Sequence, residues 1–331
     1  MIITRTPFRI SFFGGGTDYP DWFRQNGGSV LSTTIDKYCY ISCRKLPPFF
    51  DHKHRIVYSL IENVRTNEEI VHPAVREIFK WADVKDGLEI HHDGDLPARS
   101  GIGSSSSFTV GLLHAIYALR AKLISQEQLA KHAIHIEQNL IKENVGSQDQ
   151  IAAAYGGFNR IEFFRDGGFN VSPVIVSNER RNELESHLML CFTGVSRISD
   201  SIAQSKIKNL GNRRNELQLM QDMVEQALAI LAKGNVDITE FGKLLGESWR
   251  YKRALSDRVS TPYIDEIYET AIAHGALGGK ILGAGGGGFL LLFAEPSRQS
   301  KIRQALSRLV HVGFAFENTG SRTVLYQPNG L

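Results

Sequence analysis

The chain has 331 residues, 42% of them hydrophobic and 22% charged, the balance of a globular protein long enough for two domains. Its formal charge of +3 falls well short of a nucleic-acid binder's basic balance but suits small anionic substrates. No apolar run approaches the roughly 20 residues that cross a bilayer. The opening MIITRTPFRISFF lacks the basic-then-apolar plan of a signal peptide, so neither a membrane nor a nucleic-acid partner is expected, and the cytoplasm is the expected location.

TRTPFRISFF and YCYISCRKL read as strands with alternating faces, and GLEIHH as a further short strand. Cys39 and Cys43 fit that alternation as small semi-buried residues; with Cys191 they make neither a disulfide framework nor a zinc cluster. From Ser104, Phe108, Leu112, Ala115 and Leu119 recur at helical spacing up to about Leu123. A second helix begins near Ser125, where Ser125 to Gln128 has the form of a capping box, and runs toward Asn139. NVGSQDQIAAAYGG is a loop turning into a short helix, followed by the strand GFNRIEFF and the turn residues of DGGFNVSP. LESHLMLCFTG is strand-like, NELQLMQDMVEQALAILAKGN and PYIDEIYETAIAHG are helices, and FLLLFAE is a buried strand. IRQALSRLVHVG and strand-like stretches close the chain. These elements predict an α+β protein in two parts, residues 1–170 and 171–331.

Three glycine-rich elements stand far apart: FRISFFGGGTDYP (8–20), PARSGIGSSSS (97–107) and GGKILGAGGGGF (278–289). The middle one carries the clearest chemistry. Gly101 and Gly103 let the backbone approach a bulky anion, and the serines that follow open a helix whose free amides and dipole favour negative charge. Serine hydroxyls add donors to phosphate oxygens, and one can ligate magnesium. A serine-capped helix after a flexible loop is the plainer alternative. The chain has no G-x-x-x-x-G-K-[ST]; Gly278-Gly279-Lys280 is followed by Ile281. Gly283, Gly285 and Gly288 match a dinucleotide fingerprint numerically, but a strand follows where that fingerprint needs a helix.

In this order and at these distances the three elements resemble those of the GHMP kinase superfamily, which includes galactokinases, homoserine kinases, mevalonate kinases and phosphomevalonate kinases. The resemblance implies an N-terminal domain of the ribosomal-protein-S5-like domain 2 fold and a ferredoxin-like C-terminal α/β domain. It also implies ATP as donor, with Gly101, Ile102, Gly103, Ser104, Ser105 and Ser106 cradling the phosphates and Gly285, Gly286, Gly287 and Gly288 packing against that loop and the substrate. Ser105 and Glu137 match the family's Mg2+ ligands; a solvated helix glutamate is the alternative for Glu137, and Glu143 competes for the role. Asp149 in GSQDQ matches the catalytic aspartate, against the alternative of an aspartate capping the IAAAY helix. Arg9 matches a basic residue beside it, in a place where the residues alone suggest a solvent-facing strand arginine. Gly16, Thr17, Asp18 and Tyr19 match the segment that holds the sugar.

Galactokinases carry G-E-H before T-D-Y, whereas this chain has Gly14-Gly15-Gly16. FFGGGTDYP, ENVGSQDQ, FTGVSR and GAGGGGF are more similar to the heptose 7-phosphate kinases, with the fucose kinases next. Such enzymes phosphorylate the anomeric hydroxyl. A phosphosugar substrate needs a basic clamp, for which Arg197 is the first candidate and Lys252 and Arg253 are alternatives. A sugar or nucleotide sensor without catalysis is the reading from another class.

Overall fold

The protein is described by a computed structural model covering residues 1–195, 203–205, 207, 213–234 and 236–328. β1 (Ile2–Phe13) lies antiparallel to β2 (Gly28–Lys45), with α1 (Pro20–Asn26) in the connection. At eighteen residues β2 is long enough to serve several partners. Its first residues pair with β6 (Phe158–Phe163), its last with β5 (Leu88–Gly94), and Thr34 and Ile35 with β12 (Phe316–Glu317). β3 (His54–Val57) joins β5 in parallel, β4 (Ile61–Val64) follows β3, β7 (Phe169–Pro173) follows β6, and β13 (Arg322–Tyr326) lies outside β1. The second sheet is antiparallel, in the order β11 (Val310–Val312), β8 (Leu188–Phe192), β10 (Phe289–Ala294), β9 (Ala276–Ile281). The α+β expectation holds. A division at residue 170 falls inside β7, and β12 and β13 return to the first sheet, so the second sheet is set into the chain of the first.

Alternation along β1 stops at Thr6. Every residue from Thr6 to Phe13 is buried, because helices cover both sides of the strand. α3 (Ser104–Leu119) and α5 (Gln148–Tyr155) pack on it, as do α7 (Arg214–Ala232) and α8 (Thr239–Ala254), which lie two hundred residues further along the chain. Phe12 and Phe13 meet Phe241 of α8 edge-on, with ring centroids 5.5 and 5.1 Å apart; such pairs contribute about 0.5–1.5 kcal/mol each beyond the area they bury. Cys39 and Cys43 are fully buried on β2 rather than semi-buried.

The helix after the serine run stops at Leu119, short of Leu123. α4 (Gln126–Ile134) starts where expected, with Ser125 Oγ accepting from the Gln128 N–H. It then widens into a π-helical stretch, His135–Ile141, a form that often marks functional positions. α2 (Pro73–Trp81) and α6 (Asn178–His187) connect strands of the first and second halves. α9 (Pro262–Ala273) and α10 (Pro296–Ala305) complete the second layer, whose core includes Trp249, Ile264, Ile267, Leu290 and Leu292.

Candidate active site

Gly103 caps α3 with a left-handed backbone, φ +76°. The four serines that follow have separate tasks. Ser104 Oγ accepts from the Arg99 N–H at 3.1 Å and folds the loop back on itself. Ser105 is exposed. Ser106 donates to Glu137 Oε2 at 2.9 Å, and Ser107 to the Pro7 carbonyl at 2.9 Å. No acidic residue occupies the first turn of this sixteen-residue helix, so nothing there offsets the preference of its open amides and dipole for negative charge.

The third glycine element closes over this loop. A Cβ on Gly283 would lie 2.5 Å from Gly101 Cα, and one on Gly288 2.1 Å from the Ser100 carbonyl oxygen. Phe289 N–H also donates to Ser100 O at 3.0 Å. Gly285 and Gly287 pack elsewhere, against Val259 and Val195, while Gly286 N–H donates to Val259 O. Of residues 285 to 288, expected to pack on this loop, Gly288 does so, and Gly283 at the other end of the turn joins it.

Under the loop, Arg9 and Asp149 form a two-pronged ion pair: Nε to Oδ1 and Nη2 to Oδ2, both 2.8 Å. Arg9 Nη1 donates to Gly101 O at 2.6 Å, and its backbone N–H to Ile102 O. The Arg9 side chain is 4% exposed and that of Asp149 25%, so the carboxylate keeps a face toward the pocket while the guanidinium behind it is fixed. Arg9 is thus not a solvent-facing strand residue, and Asp149 lies in the first turn of α5 without capping it; the cap position is Ser147.

Asp18 is also buried. It accepts from the Gly16 N–H at 2.9 Å and the Gln148 N–H at 3.4 Å, which ties the first motif to the turn carrying Asp149. Burial pushes its carboxyl above the usual range, the Gly16 donor opposes this, and the charge of Asp149 adds to it. The turn comes so close that a Cβ on Gly146 would sit 1.9 Å from Asp18 Oδ2. Gly16 and Tyr19 line the same pocket. Thr17 turns inward: its hydroxyl donates to Gly14 O at 2.8 Å and braces Ser29, so it supports the first glycine-rich motif from behind.

Sequence reasoning missed Ser11, Gln148 and Lys280, which line the pocket with Arg9, Asp18, Asp149 and Lys252. Ser11 Oγ and Gln148 Oε1 are buried with no hydrogen-bond partner among the described residues. Strand alternation could have found Ser11, two residues beyond Arg9 on one face. Of the clamp candidates, Arg253 pairs with Asp265 at 2.9 Å away from the pocket lining, Lys252 is buried within it, and Arg197 lies outside the described residues. Glu143 lines a neighbouring cleft with Arg24 and Lys131.

The pattern of the GHMP kinases N terminal domain matches residues 69–157, and that of the GHMP kinases C terminal region matches residues 226–312. The D-glycero-alpha-D-manno-heptose 7-phosphate kinase of Campylobacter jejuni is 32% identical over 320 residues, 93% of each chain. This chain belongs to the GHMP kinases. It is a sugar kinase, a phosphotransferase with an alcohol acceptor and ATP as donor. The bifunctional fucokinase/GDP-fucose pyrophosphorylase of Arabidopsis thaliana is 25% identical across 91% of this chain and 30% of its own. A D-glycero-D-manno-heptose 1-phosphate kinase from Bacteroides thetaiotaomicron has the same fold, with a TM-score of 0.79, 24% identity and 98% of each chain covered. Among the described residues of this GHMP kinase no helix is long and apolar enough to cross a membrane.

Glu137 projects from the π-helical stretch and is 1% exposed. Its Oε2 accepts from Ser106 and, closely, from Gln150 Nε2. Oε1 is buried without a hydrogen-bond partner among the described residues. Among those residues no cluster of three or more His, Cys, Asp or Glu could hold a metal, but one carboxylate beside a hydroxyl suits magnesium, which takes few protein ligands and keeps its waters and substrate phosphates. The orphaned oxygen is an available ligand, so the residues fit the ion. The nearest serine is Ser106 rather than Ser105, since one further residue brings the hydroxyl to the inner face of α3.

Burial raises the Glu137 carboxyl to about 7 from 4.5, with Glu143 adding to the rise and neighbouring hydroxyl and amide donors opposing it. Between those values the native state holds a proton that the unfolded chain has lost, so stability falls as pH rises across that window. In magnesium-free buffer, the melting temperature is therefore expected to drop between pH 5 and pH 8 more steeply for the wild type than for Glu137→Gln. Parallel pH profiles in thermal denaturation would place the titration elsewhere.

Proposed function

We propose that the chain transfers the γ-phosphoryl group of ATP to the anomeric hydroxyl of D-glycero-D-manno-heptose 7-phosphate, giving the 1,7-bisphosphate for activated-heptose (GDP-heptose) and surface-glycan synthesis in the cytoplasm. The observation that carries this is the Arg9–Asp149 pair, held beneath the phosphate-type loop and facing a pocket that also contains Asp18. Similarity over 93% of the chain to a heptose 7-phosphate kinase supports the choice of sugar.

In this reading Asp18, Gly16, Tyr19, Ser11 and Gln148 orient the sugar hydroxyls, a task suited to buried acceptors and donors with unmet hydrogen bonds. Asp149 takes the proton of the C1 hydroxyl as that oxygen bonds to the γ-phosphorus. The bond from the γ-phosphorus to the β,γ-bridging oxygen breaks, and ADP leaves with the electron pair. Arg9 holds the Asp149 carboxylate in line and offers positive charge to the group in flight. Gly101 to Ser106 bind the ATP phosphates through backbone amides and hydroxyls. Glu137, with Ser105 or Ser106, would hold Mg2+, which when bound supplies charge neutralisation at the β- and γ-phosphates.

A panel of sugars tests the assignment. Heptose 7-phosphate is expected to exceed galactose and fucose in kcat/KM by at least about 100-fold, because charged hydrogen bonds to its phosphate contribute about 1.5–3 kcal/mol each. A better rate with unphosphorylated fucose or galactose would overturn the heptose assignment and favour a fucokinase-like or galactokinase-like sugar 1-kinase. Arg197, outside the described residues, remains the first proposed contact for the 7-phosphate, with Arg197→Ala expected to raise KM for the phosphosugar and leave KM for ATP nearly unchanged. Loss of ATP affinity instead would place Arg197 at the nucleotide. ATP consumption without any sugar product would point to the sensor class.

A further inference from the structure

Lys252 is an unusual place for a charge. It sits in the last turn of α8, only 5% exposed, and reaches the third glycine-rich element. Its Nζ donates to Ile281 O at 2.6 Å and Gly283 O at 2.7 Å, and lies 5.9 Å from the centre of the Trp249 ring. Gly283 abuts Gly101, whose carbonyl accepts from Arg9 Nη1 at 2.6 Å. Two cations, one on β1 and one on α8, therefore converge on one contact between the nucleotide loop and the third motif. Both line the pocket that contains Asp149.

Burying an ammonium ion is costly, because it gives up its hydration. The helix C-terminus and the two carbonyls offset part of that cost, and a staple between α8 and the Leu282–Gly288 turn would be a structural reason to keep it. A neutral amide donor could make such a staple without the charge. What a neutral group could not do is attract a polyanion. A phosphate oxygen is a stronger acceptor than either carbonyl, and an ammonium can redirect its donors without moving its stem.

We propose that Lys252 is a further catalytic residue, which contacts the γ-phosphoryl oxygens during transfer and shares their developing charge with Arg9. The proposal rests on the kinase reading of the pocket and not on which sugar enters it. It differs from the clamp role that the sequence left open for Lys252, because the Gly101–Gly283 junction places the ammonium at the nucleotide loop.

The test measures turnover on whichever sugar the wild-type enzyme uses best, so a wrong sugar assignment appears in the wild-type panel and leaves this result independent. Lys252→Met is expected to lower kcat by at least about 100-fold, the scale of losing one preorganised charge-stabilising donor. Affinity for ADP, which lacks the γ-phosphate, should stay within about threefold. Lys252→Cys provides the second arm. The three native cysteines are buried and none lines the pocket that residue 252 lines, so alkylation addresses the introduced thiol. Treatment with 2-bromoethylamine restores an ammonium and is expected to recover kcat at least about tenfold over the untreated variant, whereas iodoacetamide, which adds a neutral amide donor, should not.

Equal recovery with both reagents would show a staple and overturn the proposal. So would Lys252→Met with kcat near wild type and weaker ADP binding. A defect confined to KM for a phosphorylated sugar would assign the ammonium to that substrate's phosphate, which also overturns it.

Discussion

Asp149→Asn is expected to lower kcat by at least about 100-fold, the usual contribution of a positioned general base, while nucleotide still binds. Asparagine is nearly the same size and keeps one acceptor for Arg9, so the two-pronged pair becomes single and the fold persists. What disappears is the basic oxygen that now shares its position between Arg9 and the open face of the pocket. Steady-state kinetics with a parallel nucleotide-binding titration checks this. Turnover within tenfold of wild type would show that another group accepts the proton.

Gly146→Ala is the second large effect, and it acts on the sugar. The added methyl would overlap Asp18 Oδ2 at 1.9 Å and Asp18 Cγ at 2.5 Å. Asp18 cannot simply swing away, because Gly16 N–H and Gln148 N–H hold its two oxygens and Ser147 N–H holds its carbonyl. Either the carboxylate leaves those donors or the turn carrying Asp149 moves back. A displacement of about 1 Å at a reacting centre can cost about 100-fold, so kcat/KM for the sugar is expected to fall by that order. Affinity for a non-hydrolysable ATP analogue should change little, since the nucleotide loop is not touched. An unaltered sugar kcat/KM would mean that Asp18 and its turn do not set the acceptor's position.

Much of the site was legible because its chemistry is local. The serine run opens α3 as its composition requires, and GSQDQ carries Asp149 into the first turn of α5. Other features depend on segments far apart in the chain. Arg9 read as a solvent-facing residue because β1 alternates in sequence; its burial comes from helices on both sides, two of them beginning beyond residue 213. The choice between Ser105 and Ser106 as the neighbour of Glu137 turns on about 100° of helix rotation, which a motif cannot specify when four serines stand together. Thr17 looked like a sugar ligand, yet its hydroxyl is bound by the chain it must fold around. Of the two glycines facing the nucleotide loop, the motif indicates Gly288 but not Gly283, and the turn between them points Gly285 and Gly287 at Val259 and Val195. The return of β12 and β13 to the first sheet had no local signal, since β12 is two residues long and pairs with β2 across about 280 positions.

The most direct measurement is 31P NMR of the product formed from heptose 7-phosphate and ATP, with wild-type enzyme and Asp149→Asn side by side. The expected result with wild type is one new resonance from a phosphate on the anomeric carbon, the 7-phosphate signal retained and ADP formed in equal amount, with the variant producing almost none. A new phosphate on any other carbon, or ADP without a second sugar phosphate, would contradict phosphoryl transfer to the hydroxyl beside Asp149.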